Sequence, residues 1–317
     1  MTGITGKLVT VFGGSGFIGR HVVRRLAEQG HTIRVAVRSP DEALYLKVMG
    51  RVGHIVPIPA NVTDEASVAR AVAGSDWVVN LVGILAEGGG NRTFERVHVL
   101  GAANVAQAAA AAGVARLVHV SALGASDVSP AKYGKSKAKG EAAVRAAFPG
   151  AVILRPSVVF GPEDNLFNMF ACMAKFSPVL PVIDTSFQPV YVGDVADAVV
   201  AGLTRDDALG GTYELGGPEI ASGRRMMELV LHHTGRKRVL VPVPFWILAI
   251  EGLVLQFLPG KLLTADQVLM LHAANVVSAG AKTLADLGIQ PTPMDTILPT
   301  YLNRYRLPTR PGLARKA

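Results

Sequence analysis

Continuous apolar runs rich in β-branched residues recur through the first half of the chain. They are LVTVFG (8–13), TIRVAVR (32–38), HIVPIP (54–59), DWVVNLVG (76–83), RLVHVSA (116–122) and AVILRPSVV (151–159). Runs apolar on both faces suit strands covered by helices on either side, as in a parallel sheet. Between them lie stretches of helical pattern at 17–29, 41–49, 64–73, 94–112 and 131–148. The fourth contains GAANVAQAAAAAG, almost pure helix former, and ends at Gly113, a good C-cap. Such alternation predicts an α/β fold with a doubly wound parallel sheet. After Pro162 the regularity breaks down, and helical patterns at 166–176, 194–204 and 222–234 are separated by Pro- and Gly-rich turns. The expected organisation is a nucleotide domain over 1–160 and a smaller, mostly helical lobe over 161–317, with parts of 185–205 packing back on the first.

The first strand runs straight into VFGGSGFIG, that is Gly13, Gly14, Ser15, Gly16, Phe17, Ile18 and Gly19. Glycines in the pattern G-x-x-G-x-x-G, between a first strand and a first helix, mark a dinucleotide site of Rossmann type. Gly13 permits the tight turn, Gly16 admits a pyrophosphate close to the backbone, and Gly19 lets the helix pack close. The helix N-terminus adds N–H donors and partial positive charge. An NAD site ordinarily has an acid after the second strand for the ribose 2′-hydroxyl. Here AVRSP offers Arg38 and Ser39, which suit a 2′-phosphate and predict NADP(H). Asn61 and Val62 stand where adenine would lie, with Asp64 placed to cap the next helix. Asn80 and Gly83 end the fourth strand on the cofactor side.

KYGKSK (132–137) sets Tyr133 and Lys137 four apart, on one helix face. A lysine ammonium near a phenol favours the phenolate and lowers its pKa, which suits general acid or base work near neutral pH. Ser121 closes the fifth strand at the sheet's C-terminal edge, where ligands bind. This arrangement resembles the short-chain dehydrogenase/reductase superfamily in its atypical, extended branch. RPSVVFGP (155–162), with Pro156, and YVGDVADAV (191–199) resemble that branch's nicotinamide-side loop and substrate-lobe entry. The resemblance implies that Ser121 and Tyr133 bond a substrate oxygen while Lys137 grips the nicotinamide ribose. Only ALGASDVSPAK separates the serine from the tyrosine, shorter than that branch commonly has, which argues against a sugar-nucleotide substrate.

A narrower resemblance covers nearly the whole chain. HVSALGAS, the run from KYGKSKAKGEAAVRAAFPGAVILRPSVVFGPEDNLFNMF, and LTADQVLMLHAANVV (263–277) are similar to the dehydrogenase-like accessory subunits of respiratory complex I, the NADH:ubiquinone oxidoreductase. That resemblance implies a tightly bound, structural NADPH without turnover, and complex I subunits near the quinone site as partners. It places a bacterial-type chain peripherally on the cytoplasmic side of the inner membrane.

Charge is uneven in a way that fits. Residues 1–222 hold 20 Lys/Arg against 19 Asp/Glu, whereas 223–317 hold 12 against 5, so +7 of the net +8 sits in the C-terminal third. The basic residues are not interleaved with stacking aromatics, so an acidic protein surface or anionic membrane is expected rather than nucleic acid. The most apolar stretch, PFWILAIEGLVLQFLPGKLL (244–263), has a helical core over 245–258 that is shorter than the roughly 20 residues a span needs. It reads as a core, partner-facing or interfacial helix. One cysteine, Cys172, excludes an internal disulfide and fits a reducing compartment as an inert thiol. The short lead into the first strand has no secretory or transit pattern, so no signal or transit peptide is expected. His232 and His233 are helical neighbours facing different ways, and no cluster has ligand spacing, so no metal is expected. The end of the chain, YLNRYRLPTRPGLARKA, reads as a basic, extended tail.

Overall fold

The computed structural model describes residues 6–90, 92–247 and 264–306. Strand β1 (Leu8–Phe12) turns Val9 and Val11 to one face of the sheet and Thr10 and Phe12 to the other, all buried. It leads into helix α1 (Phe17–Glu28), then β2 (Thr32–Val37), β3 (Ile55–Pro59), α2 (Glu65–Val72) and β4 (Trp77–Asn80). Next come α3 (Gly101–Ala111), β5 (Arg116–Val120), α4 (Lys132–Ala147) and β6 (Val152–Pro156). Asp64 caps α2, its Oδ1 accepting from the Ser67 N–H at 3.2 Å.

Two expected α-helices form differently. Pro40–Met49 winds as a 3₁₀ helix, and its buried residues Ala43 and Leu46 are three apart, matching three residues per turn. The helix read over 94–112 opens with a π-helical turn, Glu95–Leu100, before α3.

Beyond β6 the chain builds a lobe and returns. Short strands β7 (Val159–Phe160), β8 (Val179–Val182), β9 (Ser186–Phe187) and β10 (Val190–Tyr191) accompany α5 (Leu166–Phe176) and α6 (Val192–Thr204). Strand β11 (Thr212–Leu215) then pairs in parallel with β6 and completes a seven-stranded parallel sheet in the order β11-β6-β5-β4-β1-β2-β3. Afterwards come β12 (Ala221–Ser222), α7 (Gly223–Thr234), β13 (Val239–Pro242), α8 (Ala265–Leu271) and α9 (Met294–Leu302).

One sheet face is covered by α1 and α6 and the other by α2, α3 and α4. An aromatic and aliphatic core in the lobe joins α5, α7 and α9 through Phe160, Phe167, Met226 and Leu298. Residues on both sides of position 160 therefore build the sheet: β11, α6 and the buried Leu284 and Leu287 all belong to its layers.

Two expectations fall partly outside the described residues. Of the apolar helix read over 245–258, only the turn Phe245–Ile247 is described, with Phe245 stacked on His272 at 4.3 Å; residues 248–263 lie outside. No described helix is long and apolar enough to cross a membrane. The extended tail is corrected at its start. Tyr301 and Leu302 end α9 buried in the lobe core, and Asn303–Tyr305 forms a 3₁₀ turn, because Tyr301 donates to the buried Asp164 at 2.6 Å. Residues 307–317 lie outside the description.

Helix α1 sits on the glycine turn at a distance only glycine allows. A Cβ at Gly19 would lie 2.2 Å from the Gly13 carbonyl oxygen and 2.6 Å from Gly14 Cα. Both are backbone atoms that cannot swing aside. Gly19→Ala is expected to cost about 1–3 kcal/mol, the range for overpacking; a denaturant melt superimposable on the parent's would contradict this seating.

Candidate functional site

Strand order reverses between β1 and β4, and a crevice opens there beyond the strand ends. It is a cleft of about 540 Å³. Gly13 and Gly16 line it from the β1–α1 turn, Arg38 and Ser39 from the end of β2, Asn61 and Val62 from the end of β3, and Gly83 from beyond β4. The turn is tight: Gly13 adopts φ +77°, and the Gly16 N–H donates back to the Gly13 carbonyl at 3.0 Å. Gly16 is also the N-cap of α1 and offers no side chain there, leaving the first-turn N–H groups without a side-chain acceptor next to the cleft. Arg38 is exposed and, among the described residues, makes no hydrogen bond or ion pair. Glu42 shares the same wall.

The remaining motif residues shape this cleft rather than line it, Ser15 excepted. Ser15 stands on the wall, its carbonyl accepting from the Tyr45 hydroxyl at 2.9 Å. Gly14 lies against Val35 and Val23, Ile18 packs on the core, and the Phe17 ring meets His21 edge-on. Asn80 is buried, accepting from the Val82 N–H at 3.1 Å and facing His119 at 3.3 Å, so it holds the loop after β4. Pro156 is buried at the end of β6, its carbonyl accepting from the Leu123 N–H.

Ser121, Tyr133 and Lys137 are buried outside the cleft lining. Lys137 reaches Gly83 on the wall and the end of β5 beside Ser121, and among the described residues no hydrogen bond joins Ser121 to Tyr133. Tyr133 and Lys137 share the buried face of α4, at 8% and 5% exposure. The Lys137 ammonium donates to the carbonyl of Val120, next to Ser121, at 3.1 Å. Ser121 Oγ is buried with no hydrogen-bond partner among the described residues. A hydroxyl left unsatisfied in the interior costs free energy and points to a ligand that completes it. The glycine turn, the free guanidinium and this hydroxyl fit a bound dinucleotide.

One expectation is corrected by the electrostatics. Lys137 does not lower the Tyr133 pKa; burial pushes the phenol up to about 12. Burial also pulls Lys137 down to about 8, against a smaller opposing pull from Glu141. Desolvation outweighs the pairing that the four-residue spacing suggests, because both groups are enclosed and the ammonium is turned to a carbonyl. Glu141, one turn on, is engaged by Arg155 through bonds of 2.9 and 2.7 Å.

His98 is a site residue that the sequence pattern did not single out. It lies in the π-helical turn, a feature frequent at functional sites. Its Nε2 accepts the Ile84 N–H at 3.0 Å, so Nδ1 carries the proton and donates to Ser136 Oγ at 2.8 Å. Ser136 in turn donates to the Tyr133 carbonyl at 2.8 Å. The ring stacks on Phe94 and meets Tyr133 edge-on, and burial together with the Lys137 charge lowers its pKa to about 3. A neutral His98 thus ties the loop after β4 to the tyrosine helix. Asp266 and Asn275 also reach this region from the far end of the chain. Their only sequence signal was membership in LTADQVLMLHAANVV.

A protein-family profile described as NAD(P)H-binding matches residues 13–159. Over 309 residues the chain is 35% identical to the mitochondrial NADH dehydrogenase (ubiquinone) 1 alpha subcomplex subunit 9 of Rattus norvegicus, covering 96% of this chain and 81% of the rat protein. This chain belongs to the complex I subunit 9 family. A protein named ceramide reductase from Caulobacter vibrioides is 35% identical over 200 residues, 61% of this chain and 60% of its own. Among solved structures, a Thermus thermophilus UDP-glucose 4-epimerase in complex with NAD superposes with a TM-score of 0.70 at 20% identity, over 94% of this chain and 98% of that one. The last likeness shows the fold that this subunit 9 family member shares with the epimerase.

The buried lysine sets a pH dependence. Its folded pKa, about 8, lies below the ordinary 10.5, so the unfolded chain binds the extra proton between those values. Stability contributed by this group therefore rises as pH climbs through that window and is at its lowest below it. Lys137→Met, measured without nucleotide, is expected to remove that rise, and parallel stability–pH curves for parent and variant would contradict the assignment.

Proposed function

We propose that this chain is an accessory subunit of a bacterial-type respiratory complex I that holds an NADPH tightly and does not turn it over. The observation that carries the reading is the division of the site. An open cleft of nucleotide size is walled by Gly13, Gly16, Arg38 and Asn61, while Tyr133 behind it is enclosed and its phenol is driven up to about 12. A phenol that holds its proton so firmly is far from the operating pH favoured for a general acid or base. In this reading Arg38 and Ser39 take the 2′-phosphate, the α1 N-terminus the pyrophosphate, and Asn61 and Val62 the adenine. Lys137 takes the nicotinamide ribose, and Ser121 gains the partner it lacks. A nicotinamide, when bound, supplies hydride chemistry; this chain's residues bind it, orient it and exclude water.

Partners follow from the lobe. Its basic surplus supports contact with complex I subunits near the quinone site, and with an anionic membrane surface on the cytoplasmic side, as a peripheral protein. Phe176, Val179, Val239, Val241 and Trp246 are exposed apolar residues there, and contiguous apolar surface marks contact sites.

A second reading, a free NADP-dependent reductase acting on a carbonyl or quinone-like lipid, is favoured by the unpartnered Ser121 hydroxyl and by the name of the Caulobacter relative. Purification from membranes in mild detergent separates the two. Co-purification with iron–sulfur and quinone-site subunits supports the accessory role. NADPH oxidation by the isolated chain with a carbonyl or quinone, lost in Tyr133→Phe, would overturn it. For the nucleotide itself, Arg38→Ala should weaken NADPH by about 1.5–3 kcal/mol, as for a lost charge-assisted contact, and leave NADH little changed. Equal losses for both nucleotides would rule out Arg38 as the phosphate contact.

A further inference from the structure

Helix α4 carries Tyr133 and Lys137, yet its own sequence leaves its N-terminus uncapped. Ala131 stands at the N-cap with no side-chain acceptor, and the first turn holds no acid. The first N–H groups of a helix have no partner within it, and buried ones must find one elsewhere. They find it in Asp266, whose two carboxylate oxygens accept from the Lys132 N–H at 2.6 Å and the Tyr133 N–H at 3.0 Å. Asp266 is fixed in turn. Thr264 and Gln267 form a capping box around the start of α8, Val268 is buried, and the Gln267 amide reaches the Leu85 carbonyl at 3.4 Å.

The chain then runs on from α4 to the loop after β6 and the edge of β11. The Leu271 carbonyl accepts from Thr185 Oγ1 at 2.7 Å. Asn275 Oδ1 accepts from Ser157 Oγ at 2.6 Å and from the Val158 N–H at 3.1 Å, gripping the loop that leaves β6. Backbone bonds of Asn275 to Ser186 and Gln188 hold it from the other side. The Ser278 N–H donates to Glu214 on β11, and the Lys282 carbonyl accepts from the Glu214 N–H along that sheet edge.

We propose that residues 264–283 are a strap closing the tyrosine side of the nucleotide site, latched by Asp266 on α4 and by Asn275 on the β6 loop, and that release of the nucleotide requires the strap to lift. This rests on the nucleotide reading above and adds its regulation. The strap ties the helix that carries Tyr133 and Lys137 to the loop leaving β6, and its continuation along β11 makes the tie part of the fold. Asp266 is a positioning residue: it touches α4 backbone and acts on Tyr133 through it.

The latch has a direct readout, because the amides it protects have no other acceptor in the helix. In the full chain, amide exchange at Lys132 and Tyr133 is expected to be slow, and Asp266→Ala should bring both to near-unprotected rates while α7 amides stay as in the parent. Asp266→Asn, which retains one acceptor oxygen, should fall between. NADPH chased from the Asp266→Ala protein by excess unlabelled nucleotide should leave roughly tenfold faster, the scale expected for a lost helix cap. Unprotected Lys132 and Tyr133 amides in the parent would overturn the latch without any variant. So would loss of protection spread evenly through α7, or an unchanged NADPH release rate in Asp266→Ala. A parent chain that binds no NADPH would sink the nucleotide reading, while the amide readout would still decide whether the latch exists.

Discussion

Helix α4 is buried on the face that carries its chemistry, and what holds it there is a buried ion pair. Glu141, 1% exposed, is bonded through both oxygens to Arg155 on β6, and Arg155 also faces Glu214 on β11 at 3.5 Å. Breaking such a pair by removing one partner leaves an uncompensated buried charge, so the helix cannot drift from the sheet. Glu214 continues the chain of contacts to Ser278 and the strap. One line of side chains thus fixes the tyrosine helix, two strands and the returning C-terminal segment in a single register.

That rigidity explains the electrostatics of the site. Lys137 is enclosed, its ammonium donating to the Val120 carbonyl, and Glu141, bonded to Arg155, offsets only part of the desolvation. His98 and His119 beside it are both held neutral, with pKa values lowered to about 3 by burial first and by the lysine charge second. Gly83 borders this cluster: a Cβ there would meet Lys137 Nζ at 3.5 Å and His98 Nε2 at 3.6 Å, ordinary contact distances. The pocket is organised around one costly cation with neutral neighbours, an arrangement that an anionic ligand would relieve.

Much of this architecture was legible in the chain. Six of the seven sheet strands were signalled by double-faced apolar runs, because parallel strands buried on both sides need nothing else. The seventh, TYEL, was not, since its Glu214 is satisfied by Arg155 and by a backbone N–H from residue 278, partners that no local pattern reveals. The glycine turn could be read because its requirement is local. Tyr133 and Lys137 were read correctly as sharing a face and wrongly as sharing charge, since spacing fixes direction along a helix while burial decides the pKa. His98, Asp266 and Asn275 act over separations of 14 to 134 residues, where only the folded chain shows the contact.

A structural nucleotide must be retained by the chain and stay chemically silent within a working assembly. Complex I isolated from the native membrane can be driven with NADH and quinone while the nucleotide held by this subunit is extracted and quantified before and after many turnovers. The expected result is one NADPH per subunit, reduced at the start and still reduced at the end. A subunit that carries no nucleotide, or one whose NADPH is oxidised in step with quinone reduction, would contradict it.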